Sequence, residues 1–537
     1  MSALNIKHEL QETIQNTVTE DYYNNINKIP EKLGIEQKDL GAFYTDKDVV
    51  NYILQHLEVG PDTTILDPAC GCGSFLFPLY HMAVFRKKPY MLDIYGIDID
   101  ERAVIFTRNA LKSIMGSQSE KIAESHVILG DFLFNKSLGN SFTSEIDILN
   151  DVRNNGGFDY IVGNPPYNVK NVTEKKIELV GSLHRKIADK TKNMPIYFIL
   201  RAIELLKEGG TIAFVLPKSL LYVKKYDDFR KYILHNFTIT RIVEIGIKFK
   251  GVRGEQIIAF IKKGRPTINS SIEFISIYKS SINLKQVPFS VSQKYFLDKP
   301  SLPVFLDPDI FKAVEHINQN SDRLANFTEY KVFRGLPLNI TEITENSPEA
   351  NRKFDNRCIR GRDIAKGHLK RICSFNIKST ENPKIEELRK PKIVMQNIYS
   401  SESGIISYLD EIGVITTETV TNVVISNHTK LKFFYALLNS KLINFYLFNS
   451  IFSQSKLTMH MDGYYLGQIP VVWKEHSNEM HEILEIVDKI HNCKESELKE
   501  LFSRIDTLVY SLFGMDPQLI KIVENAMSFV LSRRSMW

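Results

Sequence analysis

Between Gly41 and about Gly264, short apolar runs alternate with amphipathic stretches of helical period. Thr64 to Asp67, Met91 to Asp98, His126 to Asp131, Phe158 to Gly163, Thr211 to Leu216 and Gln256 to Ile261 are strand-length runs rich in Ile, Val, Leu and aromatic residues. Helical stretches lie between several of them, such as Glu101 to Ile114 and Phe198 to Lys207. Strand–helix alternation predicts an α/β fold built on a mainly parallel, doubly wound sheet. Ligands in such sheets bind outside the carboxyl ends of the strands. Asp67, Asp98, Asp131 and Asn164 fall at those ends.

The texture changes after about residue 270. Segments shorten and mix, as in Lys331 to Leu336, Cys358 to Ile364, Pro391 to Asn397 and Val420 to Ile425, which read as a second α/β domain. From about residue 474 the pattern is helical again: Glu479 to Val487, Leu501 to Phe513 and Pro517 to Leu531. Residues 1–40 are charged and helix-prone, with no glycine before Gly34. The expected division is therefore 1–40, 41–270, 271–473 and 474–537.

Composition narrows the class. Hydrophobic content of 43% and charged content of 24% describe an ordinary globular protein. A net charge of +5 with a pI near 8.6 permits a nucleic-acid partner without demanding one. The 5 cysteines are too few and scattered for a disulfide framework. Cys70-x-Cys72 has no nearby Cys or His to complete a tetrahedral metal set, so no metal is expected. The N-terminus has no apolar signal core, and no stretch reaches the ~20 apolar residues of a membrane span. The expectation is a cytoplasmic, intracellular protein with no membrane partner.

The densest chemistry is Asn164-Pro165-Pro166-Tyr167, directly after the Phe158–Gly163 run. Proline fixes φ and has no N–H, so the carbonyls here lack a local donor. The Asn164 side-chain oxygen and the Pro165 carbonyl can both accept from one exocyclic amino group, and Tyr167 offers a ring for stacking. Upstream, Asp67-Pro-Ala-Cys-Gly-Cys-Gly-Ser-Phe75 forms a glycine loop after the first strand. Leu76 stands where a dinucleotide fingerprint needs its third glycine. With an acid at the strand end, a cationic nucleoside cofactor fits better than a pyrophosphate; the ammonium and sulfonium of S-adenosyl-L-methionine would be complemented by Asp67. Asp98 is placed to accept from ribose hydroxyls, and Asp131 from an adenine amino group with Phe132 against the ring. Each carboxylate could instead be a helix cap or a turn residue.

Taken in order along residues 41 to about 262, these motifs resemble the gamma-class DNA methyltransferases that modify adenine N6 in bacterial restriction–modification systems. Gly41-Ala-Phe-Tyr44-Thr45 is similar to the family's opening motif, with Asp46 where proline is usual. The resemblance implies a Rossmann-like methyltransferase domain over 41–270, with an α/β target-recognition domain and C-terminal helices behind it. It implies a cofactor set of Tyr44, Thr45, Asp67, Ala69, Gly71, Gly73, Asp98, Ile99, Asp131, Phe132, Asn164 and Phe198. Asn164, Pro165 and Tyr167 would be catalytic, with Tyr167 and Phe249 stacking on a flipped-out adenine. The implied partner is double-stranded DNA, with a separate cognate restriction endonuclease beside it. Arg334, Arg360, Arg362, Lys366, Lys370 and Arg371 are candidates for phosphate or guanine contacts.

Rival readings are a protein-glutamine or rRNA base N-methyltransferase, a combined restriction–modification enzyme, and a non-catalytic DNA-binding subunit. The long C-terminal half and the opening motif disfavour the first two. The short segment before Gly41 disfavours a fused nuclease, and the intact Asp67, Asp98, Asp131 and Asn164 disfavour the last. A monomer acting on one strand at a time is the default expectation.

Overall fold

The computed structural model describes residues 45–60, 62–85, 93–115, 125–134, 136–137, 147–167, 182–247, 254–277, 287–337, 343–344, 357–375 and 383–532. The expected helical segment over 1–40, Tyr44 and Phe249 lie outside the described residues. The chain divides into two compact units, Met1–Lys299 and Pro300–Trp537.

The first unit is organised by one sheet. Its helices are α1 (Lys47–Gln55), α2 (Leu76–Phe85), α3 (Glu101–Met115), α4 (Asp147–Asn154), α5 (Ser182–Thr191), α6 (Met194–Leu205) and α7 (Asp227–Asn236). Its strands are β1 (Thr64–Asp67), β2 (Asp93–Asp98), β3 (Val127–Asp131), β4 (Lys136–Ser137), β5 (Phe158–Gly163), β6 (Leu206–Pro217), β7 (Phe237–Gly246), β8 (Gln256–Lys263), β9 (Ser271–Ser276) and β10 (Phe289–Ser292). The spatial order is β10-β9-β7-β8-β6-β5-β1-β2-β3-β4. Strands β3, β2, β1, β5 and β6 run parallel, while β8 is antiparallel to both β6 and β7. The chain moves outward from β1 through β2 to β3, then returns to the other side of β1 with β5. The carboxyl ends of β1 and β5 therefore flank a topological switch point, where an open α/β sheet leaves its ligand crevice.

Strands β6 and β8, at the centre of the sheet, are buried on both faces over most of their paired length. Ile65, Ile94, Val127, Val162, Ala213, Val215, Ile258 and Phe260 join one core cluster with residues of α1, α2 and α3. The intervening Ile161, Ile212, Phe214 and Ile257 are also buried; α6 packs on β6 and α7 on β7. Helix α1 buries Val49, Val50, Ile53 and Leu54, the i, i+1, i+4, i+5 stripe of a core-facing helix.

The division of the chain differs from the expected one. The boundary falls at 299/300 rather than 270/271, because β9 pairs with β7 and β10 with β9. Residues 474–537 are not set apart. Helices Asn478–Asn492, Glu495–Leu512 and Pro517–Ser532 belong to the same unit as the strands before them. That unit holds a four-stranded antiparallel sheet, in spatial order Lys331–Arg334, Val420–Val424, Lys392–Gln396 and Ser407–Asp410. A second sheet joins Ile343–Thr344, Cys373–Phe375, Arg357–Ile359 and Ile415–Thr416. Among the described residues no helix is long and apolar enough to cross a membrane.

Candidate active site

Four of the candidate side chains stand at successive carboxyl ends of one sheet. Asp67 ends β1, Asp98 ends β2, Asp131 ends β3, and Asn164 follows β5. The loop after β1 is tied down by its backbone. Cys70 N–H donates to the Ile97 carbonyl at 3.0 Å, and Gly73 N–H to the Cys70 carbonyl at 2.8 Å. Asp98 Oδ2 accepts from Gly71 N–H at 2.8 Å and its Oδ1 from Asp100 N–H at 2.9 Å. Asp98 thus binds the glycine loop to the end of β2 and also orders the entry to α3. From α3, Thr107 Oγ1 donates to the Gly71 carbonyl at 2.9 Å. Ile99, next to Asp98, is 54% exposed, an apolar side chain left open beside the loop.

Asp67 is only 1% exposed. Its Oδ1 accepts from Ala69 N–H at 3.1 Å, and its buried Oδ2 has no hydrogen-bond partner among the described residues. A buried carboxylate oxygen without a donor is expensive. Burial, with the nearby Asp98 charge adding, pushes the Asp67 carboxyl up to about 8, and burial pushes Asp98 up to about 6. Asp131 Oδ1 accepts from Leu133 N–H at 3.0 Å, and burial raises its carboxyl too. The Phe132 ring lies 5.3 Å from that of Phe198, tilted by 33°. Phe198 is set by α6, whose first turn is capped by Asn193 Oδ1 accepting from Ile196 N–H at 3.3 Å. Thr45 is buried just before α1.

Strand β5 closes on β1 through Gly163. Its φ is +152°, and a Cβ there would fall 2.7 Å from Asp67 Oδ1. The missing side chain lets the end of β5 press against the β1 carboxylate, and Asn164 is the next residue. The sequence reading did not single out Gly163; its signal was a glycine at the last strand position before the Asn-Pro-Pro-Tyr motif. Asn164 and Pro166 are half-buried and Pro165 is buried. Tyr167 departs from expectation. Its ring is 9% exposed and belongs to the core cluster, so it does not present an open stacking face. An aromatic directly after the sheet's rim finds more apolar surface beneath it than above.

The basic residues singled out in the second unit separate into two kinds. Arg360 is 8% exposed, and its Nε and Nη2 donate to the Asp363 carboxylate at 2.9 and 3.3 Å. Lys366 Nζ donates to the Asn439 carbonyl at 2.8 Å and lies 4.6 Å over the Phe502 ring. Arg360 is used inside the unit, which corrects its expected place on a nucleic-acid surface, whereas Lys366 remains exposed beside its contacts. Arg334, Arg362 and Lys370 are exposed, and Arg371 is half-buried.

The family model for N-6 DNA Methylase matches residues 27–292, and that for the TaqI-like C-terminal specificity domain matches residues 356–471. The chain is 30% identical over 214 residues to Type II methyltransferase M.VspI of Vibrio sp. (strain 343), covering 40% of this chain and 45% of that one. It is 28% identical over 325 residues to Modification methylase CviBIII of Paramecium bursaria Chlorella virus NC1A, covering 56% of this chain and 73% of that one. Thus it spans less than half the length of the Vibrio relative. Among solved structures, the cryoEM DrdV-DNA complex superposes with a TM-score of 0.52 at 13% identity, over 84% of this chain and 57% of that one, which is a likeness of fold. The chain belongs to the N-6 DNA Methylase family, and carries a TaqI-like specificity domain behind its methylase domain.

Proposed function

We propose that this chain is a site-specific DNA methyltransferase that moves a methyl group from S-adenosylmethionine to N6 of an adenine flipped out of double-stranded DNA. The observation that carries this reading is the contact at Gly163. Gly163, which precedes Asn164, lies against a buried carboxylate whose other oxygen has no partner among the described residues. An orphan carboxylate oxygen fits an ammonium group, and the loop to Asp98 fits a ribose. The residues that would hold the cofactor are Thr45, Asp67, Ala69, Gly71, Gly73, Asp98, Ile99, Asp131, Phe132, Asn164 and Phe198, with Tyr44 before them. When bound, it supplies a methyl group activated by a sulfonium.

The chain's own residues then have to prepare the base. Adenine N6 is a weak nucleophile because its lone pair is delocalised into the ring. Asn164 Oδ1 and the Pro165 carbonyl accept the two N6 hydrogens and localise that lone pair. Pro165 and Pro166 contribute no competing N–H. Orientation and fixed dipoles are the main contributions, and no covalent enzyme intermediate is needed. Extruding the base costs a few kcal/mol, recovered partly by stacking at about 1–3 kcal/mol. Tyr167, packed into the core, backs the base pocket as a wall, and Phe249 supplies the stacking ring. The second unit reads the target sequence, and Arg334, Arg362 and Lys370 are its exposed candidates for contact with the duplex. Modification belongs to this chain and cleavage to a separate cognate restriction endonuclease, in the cytoplasm on nucleoid DNA.

The test is long-read sequencing of DNA from a methylation-deficient host expressing the chain. N6-methyladenine at one short recurrent motif is the expected result. Unmodified DNA alongside demonstrated cofactor binding would overturn the DNA reading in favour of a protein-glutamine or RNA substrate. Cleavage of unmodified DNA by the purified chain with magnesium would overturn the separate nuclease.

A further inference from the structure

One fully buried cation has no place in the chemistry described so far. Lys218 follows the last residue of β6 and is 0% exposed. Its Nζ is held by Glu244 Oε1 and lies 3.9 Å from Glu255 Oε1. Its backbone N–H donates to the Glu255 carbonyl at 2.9 Å. Glu244 sits near the end of β7, and Glu255 directly precedes β8. One ammonium therefore ties together the end of β6 and both stems of the β7–β8 hairpin. All three groups lie at the same edge of the sheet as Asn164. Gly163 pairs with Phe214 in the parallel β5–β6 ladder, four residues before Lys218.

The surroundings make this arrangement hard to explain as stability alone. The neighbouring strand positions Val215, Leu216, Val243, Ile245, Ile257 and Ile258 are all buried and apolar. Apolar side chains of similar size would hold such a site at least as well as buried charges do, whereas ionic groups fix direction and distance.

We propose that Lys218 is a positioning residue. With Glu244 and Glu255 it fixes the end of β6 and the β7–β8 stems against β5, and so sets the half of the base pocket that faces Asn164. This rests on the methyltransferase reading and deepens it: the triad governs how the extruded adenine is held, and has no part in holding the cofactor.

The test compares the wild-type chain with K218M and with the triple variant K218M/E244Q/E255Q, which removes the ammonium and both carboxylates together. Thermal stability, S-adenosylmethionine affinity, single-turnover methylation of the motif that sequencing identifies, and fluorescence of 2-aminopurine at the target adenine are measured on each. The triple variant is expected to keep its melting temperature within a few degrees and its cofactor affinity within about twofold. It should lose at least tenfold in single-turnover rate and most of the 2-aminopurine signal, with KM for the cofactor unchanged. A triple variant that transfers methyl at the wild-type rate overturns the proposal. So does a loss of rate matched by equal losses of cofactor affinity and stability in both variants. If the wild-type chain methylates no adenine, the failure is of the function reading and is seen before any variant is made.

Discussion

Asp67 concentrates the site's electrostatics in one residue. Its carboxyl stands at about 8 and that of Asp98 at about 6, both raised chiefly by burial. A carboxyl whose folded value exceeds its unfolded value of about 3.9 stabilises the fold fully below that unfolded value. The contribution is lost as pH rises through the folded value. The ligand-free protein is therefore expected to melt at progressively lower temperature between pH 5 and pH 9. Asp67→Asn, which has no charge to bury, should flatten that slope. Binding runs the other way, because a cationic cofactor needs the ionised carboxylate. Affinity should rise by up to about tenfold per pH unit below 8, with close to one proton released. Calorimetry in two buffers of different ionisation enthalpy measures that proton, and a pH-independent affinity with no release would show that Asp67 does not face the cation. Asn164→Ala should leave this behaviour intact while methyl transfer falls steeply; equal transfer in the mutant would remove Asn164 from catalysis. The carboxylates were legible in the sequence because each closes an apolar run. The close approach to the Asp67 carboxylate was not, because it is made by Gly163 of β5, almost a hundred residues later in the chain.

The strands carrying the site were legible for a related reason. Thr64–Asp67 and Phe158–Gly163 end in consecutive buried residues, Ile65 to Asp67 and Ile161 to Gly163, so they read as apolar runs with sharp ends despite Asp159. Strand β7 was harder, since Arg241 and Glu244 interrupt it; both are paired, with Glu273 and Lys218. Strands β9 and β10 are short and half-exposed, and their alternating patterns resemble linker more than sheet. Lys218 was illegible altogether, because a lysine after a strand ordinarily points to water. At this scale two glycines separate strain from contact. Gly156, in the turn before β5, has φ +105° and open space around its Cβ position, whereas Gly163 has φ +152° and would place Cβ against Asp67. Each Ala substitution should cost about 1–3 kcal/mol in backbone strain, read by urea unfolding. Only Gly163→Ala should also weaken S-adenosylmethionine binding, by tenfold or more. Equal cofactor affinity in the two variants would mean that the β5–β1 contact does not shape the pocket.

The whole molecule is two compact units, and the second has its own internal electrostatic anchor. Lys392 and Asp410 pair on adjacent strands with both side chains fully buried. Asp410 also accepts from the backbone N–H groups of Ile412, Gly413 and Val414 at 3.2, 3.0 and 2.8 Å. The pair therefore shapes the loop after the strand as well as the sheet. Removing one partner of a buried pair costs about 3–5 kcal/mol, because the other charge is left unpaired. Lys392→Met should thus lower the unfolding transition of the second unit. Calorimetry with and without S-adenosylmethionine distinguishes the units, because a ligand raises only the transition of the unit that binds it. The expected trace has a cofactor-sensitive transition unchanged by Lys392→Met and a cofactor-insensitive one shifted down. Cofactor affinity should persist while selective methylation at the motif is lost, since the chemistry and the choice of site would lie in different units. A single transition, shifted by the mutation and raised by the cofactor together, would instead show that the units unfold as one. The division of labour between Asn164 and the specificity domain could then not be read from stability at all, and would have to come from exchanging specificity domains between relatives.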